Sequence, residues 1–430
     1  MSTKDDADVI RQLSDRIVVA QAPIRILDAI KWHDDTEVEF FANNAEKLPQ
    51  IDAAYYEHHN PLGYDLDEKI NEFRGIHSDI QRNLGQFSPL GGIMQRTCDE
   101  YVLGLEMLRA RGTDKFGQLA VSLYGSSEES FYAGGPSIRD LALLLVDKLP
   151  AIIDSTEAKR GEANITAAKA ADMIAEKLKP YFSKDNDLAL VELSDTLVSD
   201  AAAGAEAIRL RSDAMFSKRD VALLEVHEGW VHLGTTLNGK AQPTCTFLSK
   251  GSPATAITQE GLAVLMEVFT FTSFPQRLQK LTNRILAIDM ATDGGNFIDV
   301  YHFFLEHGYS EHDAYKLAVR VFRGSTADGK PFTKDLAYTK GFVMIYNFIR
   351  LAIQENQLDL IPLLFIGKTR LEDLHIYASL VKDGIIEPPK YLPSQFKDMA
   401  ALSSWMCFSL FINQIDFNKL ADDYKQILRK

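Results

Sequence analysis

The segment SKRDVALLEVHEGWVHLG, residues 217–234, combines a helix start with two histidines and a glutamate. Ser217, followed three residues later by Asp220, is a capping-box analogue and predicts the first turn of a helix, and Gly234 is a candidate for its end. The preceding IRLR segment at residues 208–211 alternates apolar and charged residues, which predicts a strand. The chain is therefore predicted to pass from a strand into a helix that carries both histidines.

In this helix, His227, Glu228 and His232 form the pattern H-E-x-x-x-H. Two neutral imidazoles are suited to zinc, and the adjacent carboxylate can take a proton from water that the metal activates. The spacing is one residue longer than the common H-E-x-x-H and places the two imidazoles about 140° apart on an ideal helix. A local distortion is needed for both to face one ion, and Gly229 would ease a π-type bulge that absorbs the extra residue. The alternative is a surface helix with two solvated histidines.

A third ligand is expected from the next helix, whose sequence TQEGLAVLMEVF begins at residue 258. Glu260 lies in the first turn of this helix, where the helix dipole favours a carboxylate even without a metal. His302 is the runner-up, although His302, His307 and His312 follow a spacing of five that fits no single helical face. Two imidazoles, one carboxylate and an open fourth position are typical of a catalytic zinc site, so one Zn²⁺ per chain is predicted.

The composition favours a cytoplasmic protein with a large core. The 430 residues are 46% hydrophobic, and the net charge of −14 argues against nucleic-acid binding because it repels phosphates. The most apolar stretch, LALLLVDKLPAII, is broken by charges and a proline, and the first residues lack the order of a signal peptide, so no membrane segment is expected. Cys98, Cys245 and Cys407 are predicted to be buried free thiols.

Four segments together resemble the bacterial QEGLA-motif proteins, relatives of the microtubule-associated tyrosine carboxypeptidases of eukaryotes. The segments are NPLGY at 60–64, VHEGWVHLGTTLNG at 226–239, TQEGLA at 258–263, and RVFRG with GKPFTKDLAYTKGF within 320–342. The resemblance covers most of the chain and implies a zincin with His227, His232 and Glu260 as metal ligands. It also implies Glu228 as the catalytic residue. It implies no substrate for this chain. The eukaryotic relatives act on tubulin, which a bacterial-type member need not encounter.

The predicted fold class is α+β, predominantly helical, with a zincin-like metallopeptidase core and a small sheet. Residues 1–125 are predicted to form an N-terminal helical region, and residues 126–430 the catalytic domain, because a Gly- and Ser-rich segment lies between them. The runs LALVEL and AEAIRLR are predicted to supply strands. The strand around residues 208–211 is expected at the sheet edge, where it could align an extended peptide.

Three functional hypotheses follow from this pattern. The first is a carboxypeptidase that removes one residue from a peptide or protein C-terminus; the second is an endopeptidase or aminopeptidase at the same zinc site. The third is a regulatory protein with a decayed site, against which the intact ligand pattern weighs. A carboxypeptidase needs a cation for the terminal carboxylate, and Arg320, Arg323 and Lys334 are the predicted residues. The helix dipole alone also favours cations at a helix end, which is the alternative explanation for these residues. An aminopeptidase would instead need acidic residues that hold the substrate's α-amine.

Overall fold

The protein is described here by a computed structural model that covers residues 4–155, 163–182, 191–195, 197, 199–204 and 207–428. Within these ranges the chain is mostly helical, with one two-stranded and one three-stranded sheet. The predicted fold class, α+β and predominantly helical with small sheets, is confirmed. No helix in the part of the chain that is described is long and apolar enough to cross a membrane.

Helices that precede the sheets make up most of the first 155 residues. They are α1 (Lys4–Gln21), α2 (Ile26–Ala29), α3 (Asp34–Ala42), α4 (Ala53–His59), α5 (Leu66–Leu84), α6 (Pro89–Arg109), α7 (Asp114–Tyr124), α8 (Ile138–Val146) and α9 (Leu149–Ser155). Four of them, α4, α5, α6 and α8, start at a residue whose side chain accepts a hydrogen bond from the first turn, such as Asp65 for α5 and Ser88 for α6. These caps stabilise the first turns of the helices in a region that the sequence predicted to be helical.

The remaining helices carry the candidate site and the C-terminal part of the chain. They are α10 (Ala167–Phe182), α11 (Lys218–Leu224), α12 (Gly234–Lys240), α13 (Thr255–Phe269), α14 (Pro275–Thr292), α15 (Phe297–Glu306), α16 (Glu311–Phe322), α17 (Ala337–Gln354), α18 (Leu374–Lys382), α19 (Ser394–Lys397), α20 (Met399–Ile412) and α21 (Phe417–Leu428). Short 3-10 turns lie at Thr246–Ser249, Thr333–Leu336, Leu358–Leu360, Pro362–Phe365 and Leu371–Asp373.

The strands are short and lie before the H-E-x-x-x-H motif in the chain. They are β1 (Ile165–Thr166), β2 (Val191–Ser194), β3 (Ala201–Ala203), β4 (Ile208–Arg211) and β5 (Met215–Phe216). The first and last of them pair antiparallel, and the other three form a sheet in the order β2-β4-β3. The start of the predicted LALVEL strand, residues 188–190, lies outside the described residues.

The predicted strand at residues 208–211 exists as β4, but its predicted place at the sheet edge is wrong. β4 pairs with β2 in parallel and with β3 antiparallel, so both of its sides are occupied. The buried side chains of Ile208 and Leu210 hold it against the core. Among the described strands of this sheet, β2 and β3 form the edges.

Two hydrophobic cores organise the helices. One packs α1, α5 and α6 against α10, α13 and α17, and the other packs α3, α4 and α7 against α14, α15 and α16. Both cores contain side chains from either side of residue 125, where the sequence predicted a domain boundary, and that boundary stays a prediction. Cys98 and Cys245 are buried, as predicted, whereas Cys407 is exposed on α20.

Helices α13 and α17 approach each other backbone to backbone. A Cβ atom added to Gly261 would lie 2.1 Å from the carbonyl carbon of Gly341, and one added to Gly341 would lie 1.9 Å from the carbonyl oxygen of Ile257. Such distances leave no room for any side chain, so the two glycines permit the contact. This packing brings Lys334, which precedes α17, within 3.1 Å of Glu260 on α13.

Candidate active site

The H-E-x-x-x-H motif lies in a π-helical segment, Glu225–Leu233, that continues α11 without a break. The wider turn absorbs the extra residue of the motif, as predicted, and the centres of the His227 and His232 rings lie 4.9 Å apart. Gly229 faces α10, where a Cβ atom would meet Leu178 Cδ1 at 2.7 Å. The π-helical segment therefore places both imidazoles on one side.

The two ends of this helix were predicted with different success. The predicted capping box is present, because Ser217 Oγ accepts from the Asp220 backbone and the Asp220 carboxylate accepts from the Ser217 backbone. The predicted end at Gly234 is wrong, since the chain continues as α12 to Lys240. Gly234 adopts φ −57° and ψ −48°, ordinary right-handed helix geometry that does not terminate a helix.

His227, His232 and Glu260 form a compact cluster, which we call the metal-ligand cluster. Glu260 Oε2 lies 3.5 Å from His227 Nε2 and 3.6 Å from His232 Nε2. The three potential ligand atoms all lie within 4.8 Å of one another. Glu260 Oε2 is buried and has no hydrogen-bond partner among the described residues. A buried carboxylate oxygen that faces two imidazole nitrogens fits a bound cation, and this donor set fits Zn²⁺. The runner-up ligand His302 is exposed on α15 and lies outside this cluster.

Carboxylates and cations around this cluster balance one another. His227 Nδ1 donates to Glu267 Oε1 at 2.8 Å, and Glu267 also accepts from both Nε and Nη2 of Arg277. Burial lowers the pKa of His227, but Glu260 and Glu267 outweigh burial and raise it to about 9. Burial raises the pKa of Glu260, but Lys334 and the two imidazoles hold it well below its usual range. The site therefore contains ionised carboxylates and favours positive charge between them.

Glu228, the predicted catalytic residue, is held against the sheet. Its Oε2 accepts a hydrogen bond from the Ala203 backbone N–H at 2.7 Å, and the residue is only 9% exposed. Ala203 belongs to β3, an edge strand of the three-stranded sheet. The carboxylate thus lies between the π-helical segment and the side of β3 that pairs with none of the described strands.

The QEG residues of the TQEGLA segment each have a separate structural role. Gln259 Oε1 accepts hydrogen bonds from Thr235 Oγ1 at 2.9 Å and from Lys368 Nζ at 2.8 Å, which ties α13 to α12. Glu260 faces the two histidines, and Gly261 allows the close contact with α17. The motif therefore fixes the position of the candidate third ligand from both sides.

The three predicted carboxylate-binding residues lie near the metal-ligand cluster but in different surroundings. Arg320 donates from Nε and Nη2 to the two oxygens of Asp335, both at 2.8 Å. Lys334 donates to Glu260 Oε1. Arg323 is 9% exposed, and its guanidinium carbon lies 5.4 Å from the centre of the Phe332 ring. Their role in substrate binding stays a prediction.

Two residues beside the cluster were missed in the sequence. Glu267 follows Glu260 by two helical turns, so its position on the same face of α13 could have been recognised from the spacing. Tyr338 lies 6.2 Å from His227 between ring centres, and the guanidinium carbons of Arg277 and Arg284 lie 5.7 Å from its ring centre. Its place depends on the packing of α17, for which the sequence offers no local signal.

Comparison with protein families agrees with this geometry. A family model described as microtubule-associated tyrosine carboxypeptidase matches residues 38–414. A comparison with curated proteins gave no match. The matched range contains the sheets, the π-helical segment, α13 and α17, and it ends before α21. Because the match covers most of the chain, the protein belongs to the microtubule-associated tyrosine carboxypeptidase family.

Proposed function

We propose that the protein is a zinc-dependent carboxypeptidase that removes one residue from the C-terminus of a peptide or protein. Membership of the family implies a carboxypeptidase-type enzyme that acts on peptides or proteins. The observation that carries the zinc part is the buried Glu260 Oε2, which has no hydrogen-bond partner among the described residues and faces two imidazole nitrogens. His227, His232 and Glu260 would hold the ion, with a fourth position open to the reactants.

In this proposal Glu228 is the general base. A bound Zn²⁺ would supply Lewis-acid activation of water and of the scissile carbonyl group. Glu228 accepts a proton from the attacking water and delivers it to the leaving amine. The hydrogen bond from Ala203 N–H keeps its carboxylate beside β3. An extended peptide beside the side of β3 that faces away from β4 would pass this carboxylate, which makes β3 the candidate strand for substrate alignment.

The charges near the cluster favour a carboxypeptidase over an aminopeptidase. An aminopeptidase needs an uncommitted carboxylate for the substrate's α-amine, whereas Glu260, Glu267 and Asp335 each contact a lysine or an arginine. A carboxypeptidase needs cations, and Lys334 and Arg320 both act on the charge of Glu260, while Arg323 lies next to Arg320 and Asp335. The arrangement therefore suits a substrate that brings negative charge.

The proposal is tested by zinc content and by the products of peptide hydrolysis. We expect about one zinc per chain after reconstitution and a loss of zinc in the His227→Ala, His232→Ala double variant. A peptide with a free C-terminal carboxylate should lose one residue, whereas its C-terminal amide should resist. Less than about a tenth of an equivalent of zinc would refute the metal assignment. Internal cuts, or equal cleavage of both peptides, would support the endopeptidase instead.

A further inference from the structure

The last two helices, α20 and α21, expose a large apolar surface. Residues 399–415 contain no charged side chain. Leu402 and Met406 are buried and hold α20 against the protein, and the Trp405 ring contacts Phe269 with 5.1 Å between ring centres. Eight large apolar side chains of this segment nevertheless remain between 42% and 77% exposed. These eight, which we call the C-terminal apolar surface, are Trp405, Phe408, Phe411, Ile412, Ile415, Phe417, Tyr424 and Ile427.

Helical periodicity arranges these side chains in one stripe on each helix. Trp405, Phe408 and Ile412 follow one another at spacings of three and four residues and therefore share a face of α20. Phe417, Tyr424 and Ile427 share a face of α21 in the same way. Only residues 413–416 separate the two helices, so the stripes follow each other closely in the chain.

Helix α21 has little within its own chain to stabilise it. It is 12 residues long, and none of its residues whose burial is described is buried. Isolated helices shorter than about 12–15 residues are marginal in water, and most helical stability in proteins comes from packing of an apolar face. The cap at Asp416, which accepts from two backbone N–H groups, and the exposed ion pairs of α21 add little. The apolar face of α21 therefore needs a partner that covers it.

The size of the C-terminal apolar surface fits an interface between two proteins. At about 200 Å² for an aromatic side chain and somewhat less for isoleucine, the exposed fractions correspond to roughly 900 Å². The largest apolar patch on a typical monomer measures about 300–600 Å². A standard interface buries about 800 Å² on each partner. The surface is thus larger than a monomer usually exposes and large enough for a stable complex.

The charges around this surface favour a second copy of the chain over a membrane. Helices that lie on membranes are rich in lysine and arginine on their polar face. In α21 two lysines are balanced by two aspartates, and Lys425 pairs with Asp422. The net charge of −14 also repels anionic lipids. A two-fold interface places a surface against its own copy, and a surface without charges meets no like-charge repulsion there.

We propose that two copies of this chain form a two-fold symmetric dimer through the C-terminal apolar surface. Helices α20 and α21 of each copy pack against the same helices of the other copy, and this packing covers both stripes. Such an interface is apolar at its centre, as is typical of homodimers. The proposal goes beyond the proposed carboxypeptidase activity and does not depend on it.

Sedimentation equilibrium of the full chain tests the dimer. We expect twice the mass of one chain and a Kd of about 1 µM or tighter, since interfaces of this size range from µM to pM. Phe408→Glu should raise the Kd at least about 100-fold, because each copy then buries an unpaired charge. Ile427→Glu tests α21 separately and should also weaken the dimer. The matched control is Phe87→Glu, which replaces an exposed phenylalanine between α5 and α6 and should leave the Kd unchanged.

Thermal unfolding separates a lost interface from a damaged fold. The Tm of the wild-type protein should rise with protein concentration, because association stabilises the folded chain. The Tm of Phe408→Glu should be independent of concentration and equal to that of dilute wild type, since Phe408 is 71% exposed in the single chain. A wild-type protein that stays monomeric up to about 100 µM overturns the proposal, as does a dimer that persists in both variants. A monomer that sediments with phosphatidylcholine vesicles would assign the surface to a membrane and overturn the proposal as well.

Discussion

The metal-ligand cluster adjoins a second group of charged residues, which we call the cation cluster and which comprises Lys280, Arg284, Arg320, Arg323 and Asp335. The buried atoms that lack hydrogen-bond partners have opposite polarity in the two clusters. Among the described residues, the buried atom of the metal-ligand cluster without a hydrogen-bond partner is an acceptor, Glu260 Oε2. In the cation cluster the buried atoms that find no hydrogen-bond partner in the described part of the chain are donors, Nε of Arg284 and Nε of Arg323. A buried acceptor among imidazoles fits a cation, and buried donors among guanidinium groups fit an anion. The two regions together suit a substrate carboxylate bound next to a metal ion.

The two regions also differ in how the surrounding residues compensate their charges. Glu267 contacts both His227 and Arg277, and Glu260 contacts Lys334, so each carboxylate around the metal-ligand cluster has a nearby cation. In the cation cluster Asp335 is the single carboxylate for four cations. The charges of the first region are paired with opposite charges, whereas the second region holds like charges close together at a cost to the stability of the fold. Predictions can therefore target each region separately.

The largest expected effect is on catalysis. Glu228→Gln should lower peptide hydrolysis by about 10²- to 10⁴-fold, because the amide can accept the Ala203 N–H bond but cannot take a proton from water. Zinc content measured by elemental analysis should remain at the wild-type level, since Glu228 is not one of the proposed ligands. A rate reduced by less than about tenfold would show that another residue is the base.

The next effect concerns the charge balance around the metal-ligand cluster. Glu267→Gln removes the negative charge that accepts from His227 and leaves Arg277 without its carboxylate. We expect zinc affinity, measured by competition with a chelator, to fall by about 10- to 100-fold, as is typical when the partner of a ligating histidine is lost. Glu355→Gln, an exposed glutamate at the end of α17, is the matched control and should bind zinc normally. Unchanged affinity in Glu267→Gln would exclude this positioning role.

The candidate metal ligands could be predicted from the sequence because their signals are local. The spacing of His227 and His232 required a distorted helix, and the π-helical segment confirms that reasoning. The capping box at Ser217 depends on residues three apart and was predicted for the same reason. Glu260 lies in the TQEGLA segment, which follows the histidines closely in the chain, so its proximity to them needed only one helix-helix contact.

The rest of the site depends on contacts between distant parts of the chain. Whether β4 lies at an edge or in the centre depends on its partners, and its alternation of buried and exposed side chains is compatible with both. The cation cluster combines Lys280 and Arg284 from α14 with residues 320–335, and each segment alone already carries a surplus of positive charge. Helix packing brings the two surpluses together, and that proximity became visible only in three dimensions.

A third prediction concerns the contact that connects the two regions. Gly261→Ala would place a methyl group against the backbone of Gly341 and force α13 and α17 apart. We expect the free energy of unfolding to fall by about 3 kcal/mol, at the upper end for an overpacked site. Zinc affinity should fall as well, because Glu260 and Lys334 lie on the two sides of this contact.

Thermal unfolding with and without zinc measures both effects. Gly75→Ala is the matched control, since Gly75 lies in α5 with no atom within 4 Å of an added Cβ. This control should be neutral or slightly stabilising, because alanine favours a helix by about 1 kcal/mol over glycine. Equal stability of the two variants would show that α13 and α17 can separate without cost.

The smallest expected effect is on the pH dependence of stability, and it isolates the unbalanced region. Burial and the charges of Arg284, Arg277 and Arg320, opposed by Asp200, lower the folded-state pKa of Lys280 to about 7, below its value in the unfolded chain. Between these two pKa values the unfolded chain holds more protons than the folded one, so Lys280 makes stability rise with pH. Below pH 7 the folded protein carries the full cost of keeping this partly buried ammonium group charged among the arginines. Lys280→Met should therefore raise Tm by a few degrees at pH 6 and by less at pH 9. Thermal unfolding at both pH values measures the difference. The control is Lys382→Met, which removes an exposed lysine from α18. An equal gain in Tm at both pH values would mean that the methionine stabilises the protein by packing. The charge of Lys280 would then not destabilise the folded state.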